Sequence, residues 1–363
     1  MIKERIVVGM SGGVDSAVTA ALLLEQGFEV IGVTMLIWNP PGLDRADQGG
    51  CCGLGAAEDA RRVAARLGVP HYVLDFQDVF YDTVIRNYAD EYRAGRTPNP
   101  CIRCNEFVKF GALLRRAEQL GAERVATGHY ARVRWDEKSC RWLLLRGLDA
   151  RKDQSYALYR LKQDQLARTL FPLGEIDKGR TRALATELEL PVANKPDSQE
   201  VCFVPDNDYP TFLAQLVPES RREGAIVDPD GQVLGRHPGV AGFTVGQRRG
   251  LGLSSSRPLY VTRIDPETNR ITVADGDHAS LFAREVIATD ANLITLKEPG
   301  GPCSVTAKIR YNMPDRPATL VIEDEERLRV LFQEPQRAVT PGQALVCYDG
   351  ELVVGGGVIE RAA

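Results

Sequence analysis

Residues 5–38 set the tightest constraint on the fold. An apolar run, RIVVGM, breaks at SGG, continues as VDSAVTAALLLEQG and is followed by a second apolar run, EVIGVTMLIW. Short apolar runs on either side of a segment with 3.6-residue periodicity read as strand, helix and strand, with Gly27 as the helix stop. A helical crossover of this kind joins parallel strands, so the start of the chain belongs to a parallel sheet covered by helices. The alternation continues. GAAEDARRVAARLG predicts a helix ending at Gly68, HYVLDF a strand, DVFYDTVIRNYADEYRAG a helix ending at Gly95, FVKFGALLRRAEQLG a further helix and ERVATGHY a strand. We read residues 1–204 as a doubly wound α/β domain, which binds ligands at the carboxyl ends of its strands.

From about residue 205 the texture changes to short alternating runs such as PLYVTRID, SVTAKIRYN and ALVCYDGELVVGGGVI, broken by DPDG, DPETN and YDG. Such runs predict two small mainly β domains, 205–279 and 280–363, the last a β-barrel. A length of 363 residues with 44% hydrophobic and 26% charged residues fits several packed cores and excludes disorder. MIKERIVVGM lacks the basic start and long apolar stretch of a leader, and no apolar run of about 18 residues follows. The expectation is a soluble cytoplasmic protein with no membrane association. Eight cysteines in such a chain are expected to be reduced, catalytic or metal-bound. A net charge of −4 does not suit a chain that binds nucleic acid over its whole surface, so any such surface is a local patch.

GMSGGVDS, residues 9–16, sits between the first strand and the first helix. A Gly-rich turn there leaves backbone N–H groups at a helix N-terminus, where they favour a phosphate. Ser11, Gly12, Gly13 and Ser16 are placed to wrap the anion and Asp15 to help hold magnesium. A plain glycine turn with a Ser or Asp cap has the same look. The stretch lacks both the Gly-Lys-Ser/Thr ending of a nucleoside triphosphatase loop and the dinucleotide three-glycine spacing. SGGVDS resembles the signature of the ATP pyrophosphatases, which cleave ATP to AMP and pyrophosphate by adenylating a substrate oxygen.

PNPCIRCNEF, residues 98–107, holds a Cys-x-x-Cys pair, Cys101 and Cys104. A zinc site needs a second ligand pair at suitable spacing. None is present: Cys51 and Cys52 are adjacent, and His71, His129, His237 and His278 are scattered singly. A redox dithiol or a nucleophilic sulfur with a distant partner remain. Cys202 in NKPDSQEVCFVP, 98 residues beyond Cys104, is a candidate partner, although a cysteine flanked by Val201 and Phe203 also suits a buried hydrophobe. At the start of the helix expected after it, Cys104 gains thiolate character from the helix dipole.

Taken in order, GMSGGVDS, EYRAGRTPNPCIRCNEFVKF, ATGHYAR, KDQSYALY, SQEVCF and FTVGQRRGLG resemble the successive blocks of the bacterial tRNA-specific 2-thiouridylases. The resemblance implies an adenine nucleotide alpha hydrolase-like first domain and replacement of oxygen by sulfur at position 2 of the wobble uridine of tRNA. It implies Cys104 as nucleophile, Cys202 as persulfide carrier and a Cys104–Cys202 disulfide left for a reductant. ATP contacts map to Gly9, Met10, Ser11, Gly12, Gly13, Val14, Asp15, Ser16, Met35 and Gly128, and the target base to Asn99, Pro100 and Cys101. Contacts to tRNA map to His129, Lys152, Asp153, Gln154, Arg310, Tyr311 and Gln343. ATP and Mg2+ follow as cofactors. The implied partners are the tRNAs for lysine, glutamate and glutamine and a persulfide donor such as a cysteine desulfurase or sulfur-relay protein.

Residues 130–152 hold seven Lys or Arg against three acids, with Tyr130, Trp135 and Trp142 interleaved as candidate stacking partners, and residues 231–257 hold four Arg and no acid. Arg248 and Arg249 suit RNA contact or a structural turn equally. Cys140, Cys303 and Cys347 read as structural, and Cys51 and Cys52 have no assigned role. Two rivals stand beside the main reading: another ATP pyrophosphatase synthetase, and an iron-sulfur protein with Cys101, Cys104 and Cys202 as ligands.

Overall fold

The structure, a computed structural model, describes residues 3–38, 54–197, 201–204, 208–218, 222–295 and 301–362. Its contacts divide the chain into two compact units, residues 1–84, 100–207 and 351–353 in one and 85–99, 208–350 and 354–363 in the other.

The first unit opens with β1 (Arg5–Gly9), α1 (Val14–Glu25), β2 (Glu29–Leu36), α2 (Leu54–Leu67), β3 (His71–Asp75) and α3 (Gln77–Phe80). The second unit contributes α4 (Arg86–Arg93), and the first resumes with α5 (Pro100–Arg103), α6 (Leu113–Gln119), β4 (Arg124–Ala126), β5 (Ala131–Asp136), β6 (Arg141–Arg146), α7 (Gln163–Ala167), β7 (Thr169–Leu170) and α8 (Lys178–Glu187). The parallel sheet has the order β3-β2-β1-β4-β7, with Val7 opposite Ile31 on one side and Val125 on the other. From β1 the chain winds one way to β2 and β3 and the other way to β4, so a crevice opens where β1 ends. Its strands are apolar on both faces because helices cover both: Ile6, Val7 and Val8 are fully buried. Val18 and Leu23 of α1, Val63 of α2 and Ala185 of α8 share the core of Ile6 and Val8.

Two helices differ from expectation. The helix expected over 107–121 starts at Pro100 and widens into a π-helical segment over Cys104–Ala112 before α6. Proline is well suited to a first helical position, where its missing N–H costs nothing, and the Pro-Asn-Pro stretch concealed a helix start. The helix expected over 78–95 is likewise interrupted by a wide turn at Tyr81–Ile85 between α3 and α4.

The second unit continues with α9 (Tyr209–Leu216) and the strands β8 (Gly224–Val227), β9 (Val233–His237), β10 (Leu259–Asp265) and β11 (Arg270–Asp275), paired in the order β10-β11-β8-β9 around Ile226, Val261, Ile271 and Val273. Six more strands follow: β12 (Phe282–Leu293), β13 (Cys303–Lys308), β14 (Arg316–Ile322), β15 (Leu328–Arg337), β16 (Ala344–Asp349) and β17 (Leu352–Ala362). They run β12-β15-β14-β13-β16-β17, and β17 pairs back on β12, which closes a barrel around Val286, Leu320, Phe332, Leu345 and Ile359. The doubly wound sheet followed by two mainly β parts is the fold class expected. Among the described residues no helix is long and apolar enough to cross a membrane.

Candidate active site

The loop after β1 is fixed before any ligand arrives. Met10 N donates to Val33 O at 2.8 Å, and Thr34 Oγ1 donates to Met10 O at 2.9 Å. Gly12 turns with φ +66°, and a Cβ there would lie 2.3 Å from Ala56 O, so only glycine fits. Ser16 Oγ accepts from Ser11 N at 3.2 Å and donates to Gly13 O at 3.1 Å, which closes the loop over the first turn of α1. Gly128 follows β4 and passes directly against that turn; a Cβ on it would lie 2.8 Å from the Asp15 carbonyl carbon. The expected contacts Gly9 to Ser16 and Gly128 are thus gathered at one place. The side chains of Met10 and Val14 belong to the core, which leaves them only backbone to offer a nucleotide, and Met35 is buried near the end of β2.

This loop contains no lysine, yet two reach it from far along the chain. Lys178, the first residue of α8, places Nζ 2.6 Å from Asp15 Oδ1 and 2.9 Å from Asp197 Oδ1. Lys195 Nζ donates to Gly12 O at 3.0 Å and to Asp59 Oδ2 at 2.6 Å. Asp197 also takes Lys152 Nζ at 2.8 Å and an Arg182 NH2 at 2.8 Å. Burial alone would raise the Asp197 carboxyl, but the hydrogen bonds and charges of Lys152 and Lys178 outweigh it and hold it down to about 2. Tyr130 corrects a sequence expectation. It is buried rather than offered for stacking, and its OH donates to Asp15 Oδ1 at 2.9 Å while its oxygen lies within hydrogen-bond distance of Thr181 Oγ1, at 3.0 Å. Burial pushes its phenol well above the usual range, so it stays a donor. Backbone amides at a helix N-terminus with two ammonium groups beside them form a donor set that fits a polyphosphate. None of Lys178, Lys195 and Asp197 was found as a site residue in the sequence.

Cys101 lies exposed in the first turn of α5, whereas Cys104 is buried and opens the wide helical segment. The helix therefore begins earlier than expected, and the first-turn position belongs to Cys101. Gln165 braces the wide segment from outside, its Nε2 donating to Glu106 O at 3.1 Å and Phe110 O at 2.7 Å. Asn105 Nδ2 donates to Ala157 O at 3.0 Å, and Glu106 pairs with Arg160 through bonds of 2.5 and 3.0 Å, both side chains being buried. Cys202 is half-buried, and the next residue, Phe203, packs edge-on against Phe80 at 5.6 Å. Cys51 and Cys52 lie outside the described residues. Cys347 sits in the barrel core, where burial pushes its thiol up to about 12; Cys303 begins β13, and Cys140 is exposed in the turn between β5 and β6. Among the described residues, Cys101, Cys104 and Cys202 included, no three His, Cys, Asp or Glu side chains gather as a metal-ligand set.

The expected RNA contacts fall into two kinds. His129 hydrogen-bonds through Nδ1 to Thr127 Oγ1 at 2.7 Å and packs on Phe110 and Phe171; burial, then Lys109, lowers its pKa well below the usual histidine value, so the ring is neutral. Asp153 turns its carboxylate inward to Gly147 N, Ser155 N and Ser155 Oγ, and Gln154 Oε1 accepts from Tyr130 N at 3.0 Å. Across the β5–β6 hairpin Trp135 pairs with Trp142, ring centroids 5.6 Å apart, and Trp135 is exposed. Within the second unit, Arg310 donates to Val245 O, Ala338 O and Thr340 Oγ1, while Tyr311 is exposed. Gln343 Nε2 donates to Thr97 O at 2.9 Å and Pro98 O at 3.2 Å, which fixes the residues that lead to Asn99. Arg248 and Arg257 line an open cavity of about 360 Å³.

A parallel sheet whose central strand opens into a glycine loop at the switch point, with lysines drawn onto it, defines an α/β domain built to handle a nucleotide. Residues 4–206 match the tRNA methyl transferase HUP domain, 210–275 the tRNA methyl transferase PRC-barrel domain and 283–359 the aminomethyltransferase beta-barrel domain. The chain is 51% identical over 361 residues to the tRNA-specific 2-thiouridylase MnmA 1 of Caldanaerobacter subterraneus subsp. tengcongensis, covering 99% of each. It is 50% identical over 363 residues to the tRNA-specific 2-thiouridylase MnmA of Acetivibrio thermocellus, covering 99% of this chain and 100% of the relative. For the one from Heliobacterium modesticaldum the figures are 52% over 364 residues, 99% and 93%. The chain belongs to the tRNA-specific 2-thiouridylase family.

Proposed function

We propose that this protein is an ATP-dependent tRNA uridine 2-sulfurtransferase acting in the cytoplasm. Its full-length identity of about half with tRNA-specific 2-thiouridylases carries the reading. A uracil carbonyl oxygen is a poor leaving group, and an AMP ester of it is a good one. In the proposed sequence the uracil O2 attacks the α-phosphorus of ATP and pyrophosphate leaves. The terminal sulfur of a Cys202 persulfide attacks C2, and AMP leaves with the C–O bond. Cys104 then attacks Cys202 Sγ; the S–S bond to the base breaks, 2-thiouridine is released, and a Cys104–Cys202 disulfide remains for a two-electron thiol reductant.

The loop from Gly9 to Ser16 is proposed to hold the phosphates, with Gly128 and Met35 beside the nucleotide. Lys178 and Lys195 would neutralise charge that the loop alone cannot. Asp15 has Oδ1 engaged by Tyr130 and Lys178, so Oδ2 is the oxygen it can offer a magnesium ion, whose other ligands would be phosphate oxygens and water. Magnesium, when bound, supplies charge neutralisation at the leaving pyrophosphate. Asn99, Pro100 and Cys101 are assigned to the target base, which must be splayed from its stack to be reached. His129, Lys152, Asp153, Gln154, Arg310, Tyr311 and Gln343 are assigned to tRNA, those with inward-facing side chains acting through the backbone they hold. The tRNAs for lysine, glutamate and glutamine are the proposed substrates, and a cysteine desulfurase or sulfur-relay protein the donor.

The test is mass analysis of nucleosides from such tRNA incubated with protein, ATP, magnesium and a protein persulfide donor, with AMP and pyrophosphate followed in parallel. The expected outcome is 2-thiouridine with one AMP and one pyrophosphate per base. ADP and phosphate in their place would overturn the adenylation step.

A further inference from the structure

The loop that leads into β10 is held at its base and along one side. Gly246 N donates to Val261 O at 2.7 Å, and Val261 N to Gln247 O at 2.9 Å. The Gln247 side chain spans the turn, its Oε1 accepting from Thr244 N at 3.0 Å and its Nε2 donating to Arg249 O at 2.9 Å. Leu251 is buried in the core of Ile226 and Val261, and Leu253 packs against that core. With those two side chains spent on packing, Gly250 and Gly252 remain exposed and turn with φ +77° and +66°, a region that suits glycine. Together with Arg248, Ser255, Ser256 and Arg257 they line the open cavity of about 360 Å³.

Two observations give this cavity its chemistry. Of the four arginines in residues 231–257, Arg236 pairs with Glu223 at 3.5 Å, whereas the side chains of Arg248, Arg249 and Arg257 make no ion pair or hydrogen bond among the described residues. The backbone N–H groups from Arg248 to Ser256 likewise donate to no acceptor among the described residues. Donors and positive charge, in a segment without a carboxylate, suit an anion with several oxygens. The planar fork of arginine meets two phosphate oxygens at once, and the amides of a glycine turn with the serine hydroxyls add neutral donors. We propose that this cavity binds a backbone phosphate of tRNA, gripped by Arg248 and Arg257, a site that rests on the reading of the chain as a tRNA-modifying enzyme. An arginine held in an ion pair must break it to meet a phosphate, whereas these two bring their whole charge. The contact positions the RNA without reading its sequence.

The experiment is filter binding of tRNA to the full chain over a salt series. The double variant Arg248→Ala, Arg257→Ala should bind more weakly at low salt and flatten the slope of log affinity against log salt by about 1.4–1.8, two cations at about 0.7–0.9 each. The double variant Arg248→Lys, Arg257→Lys keeps both charges and should keep the wild-type slope. Arg236→Ala removes an arginine of the same segment that is already paired, and should keep it too. An alanine double variant with the wild-type slope would overturn the site, whatever its affinity. So would an Arg236→Ala slope that falls as far per arginine, because the effect would then belong to the charge of the segment and not to this cavity. Inorganic phosphate is the probe for the other source of the same chemistry: calorimetric binding of it by the wild type and not by the alanine variant, with equal slopes for tRNA, would make this a free-anion site and overturn the RNA assignment. Thiolation by the wild-type sample separates the two readings. An unchanged variant slope beside wild-type thiolation removes only the site, whereas a wild type that neither binds nor thiolates tRNA removes the function.

Discussion

A single methyl group at residue 128 would collide with the site. Its Cβ would stand 2.8 Å from the Asp15 carbonyl carbon and 2.9 Å from Ser16 N, whereas a Cβ at Gly13 would lie 3.4 Å from a serine hydroxyl that can rotate away. Gly128→Ala is therefore expected to cost about 1–3 kcal/mol in denaturant unfolding and to weaken ATP binding. Gly13→Ala should unfold near the wild-type midpoint. Asp197 makes a pH prediction. Its carboxyl lies at about 2 in the fold against an ordinary 3.8, so the stability it adds is complete above 3.8, falls between 3.8 and about 2, and is absent below. Asp197→Asn should differ most from wild type at neutral pH, and unfolding midpoints should converge as pH falls through that window. At the cysteines, Cys101→Ser is expected to keep most single-turnover thiolation and Cys104→Ser to lose it; equal loss would make Cys101 a catalytic thiolate, a role its first-turn position suits. The loop itself was legible in the sequence because its chemistry is local backbone chemistry. Lys178 and Lys195 were not, since they meet it from 163 and 183 residues away.

Among the elements, the helix that carries Cys104 shows where periodicity misleads. Apolar spacing located it but placed its start several residues late and gave no sign of the wide turn, because a π segment is set by partners outside the helix. Those partners are Gln165 on α7, Arg160 and the Ala157 carbonyl. Gln165→Leu keeps the bulk and removes both donors, leaving the Glu106 and Phe110 carbonyls to relax toward a regular helix. Stability should fall by about 0.5–1.5 kcal/mol for each hydrogen bond removed. If the wide turn sets where the Cys104 thiol points, thiolation in this variant should fall further than the unfolded fraction explains, with tRNA binding retained. A loss that tracks the unfolded fraction alone would limit Gln165 to a structural part. The strands were read more securely, since an apolar run between glycine turns needs no distant partner to be recognised.

For the molecule as a whole, the sequence disclosed the fold class because the pattern changes from strand-helix alternation to short alternating strands partway along the chain. The tension it left open is electrostatic, a chain of net charge −4 that must hold a polyanion. The structure sharpens this tension, because many of its cations are already engaged. Lys152, Lys178 and Arg182 converge on Asp197, Arg132 pairs with Glu351, and Arg160 with Glu106. Binding of tRNA should then draw on few phosphate contacts, and on neutral groups such as His129 that add affinity without charge. Each Lys or Arg that meets a phosphate steepens the dependence of log affinity on log salt by about 0.7–0.9. His129→Ala is expected to weaken tRNA binding with that slope unchanged, because burial keeps the ring uncharged. The double variant Arg248→Ala, Arg249→Ala should flatten the slope by about 1.4–1.8 if both arginines reach the backbone, and leave it unaltered if they only hold their turn. Filter binding over a salt series decides between these outcomes. A His129 variant with a flatter slope would mean that the ring is charged in the complex.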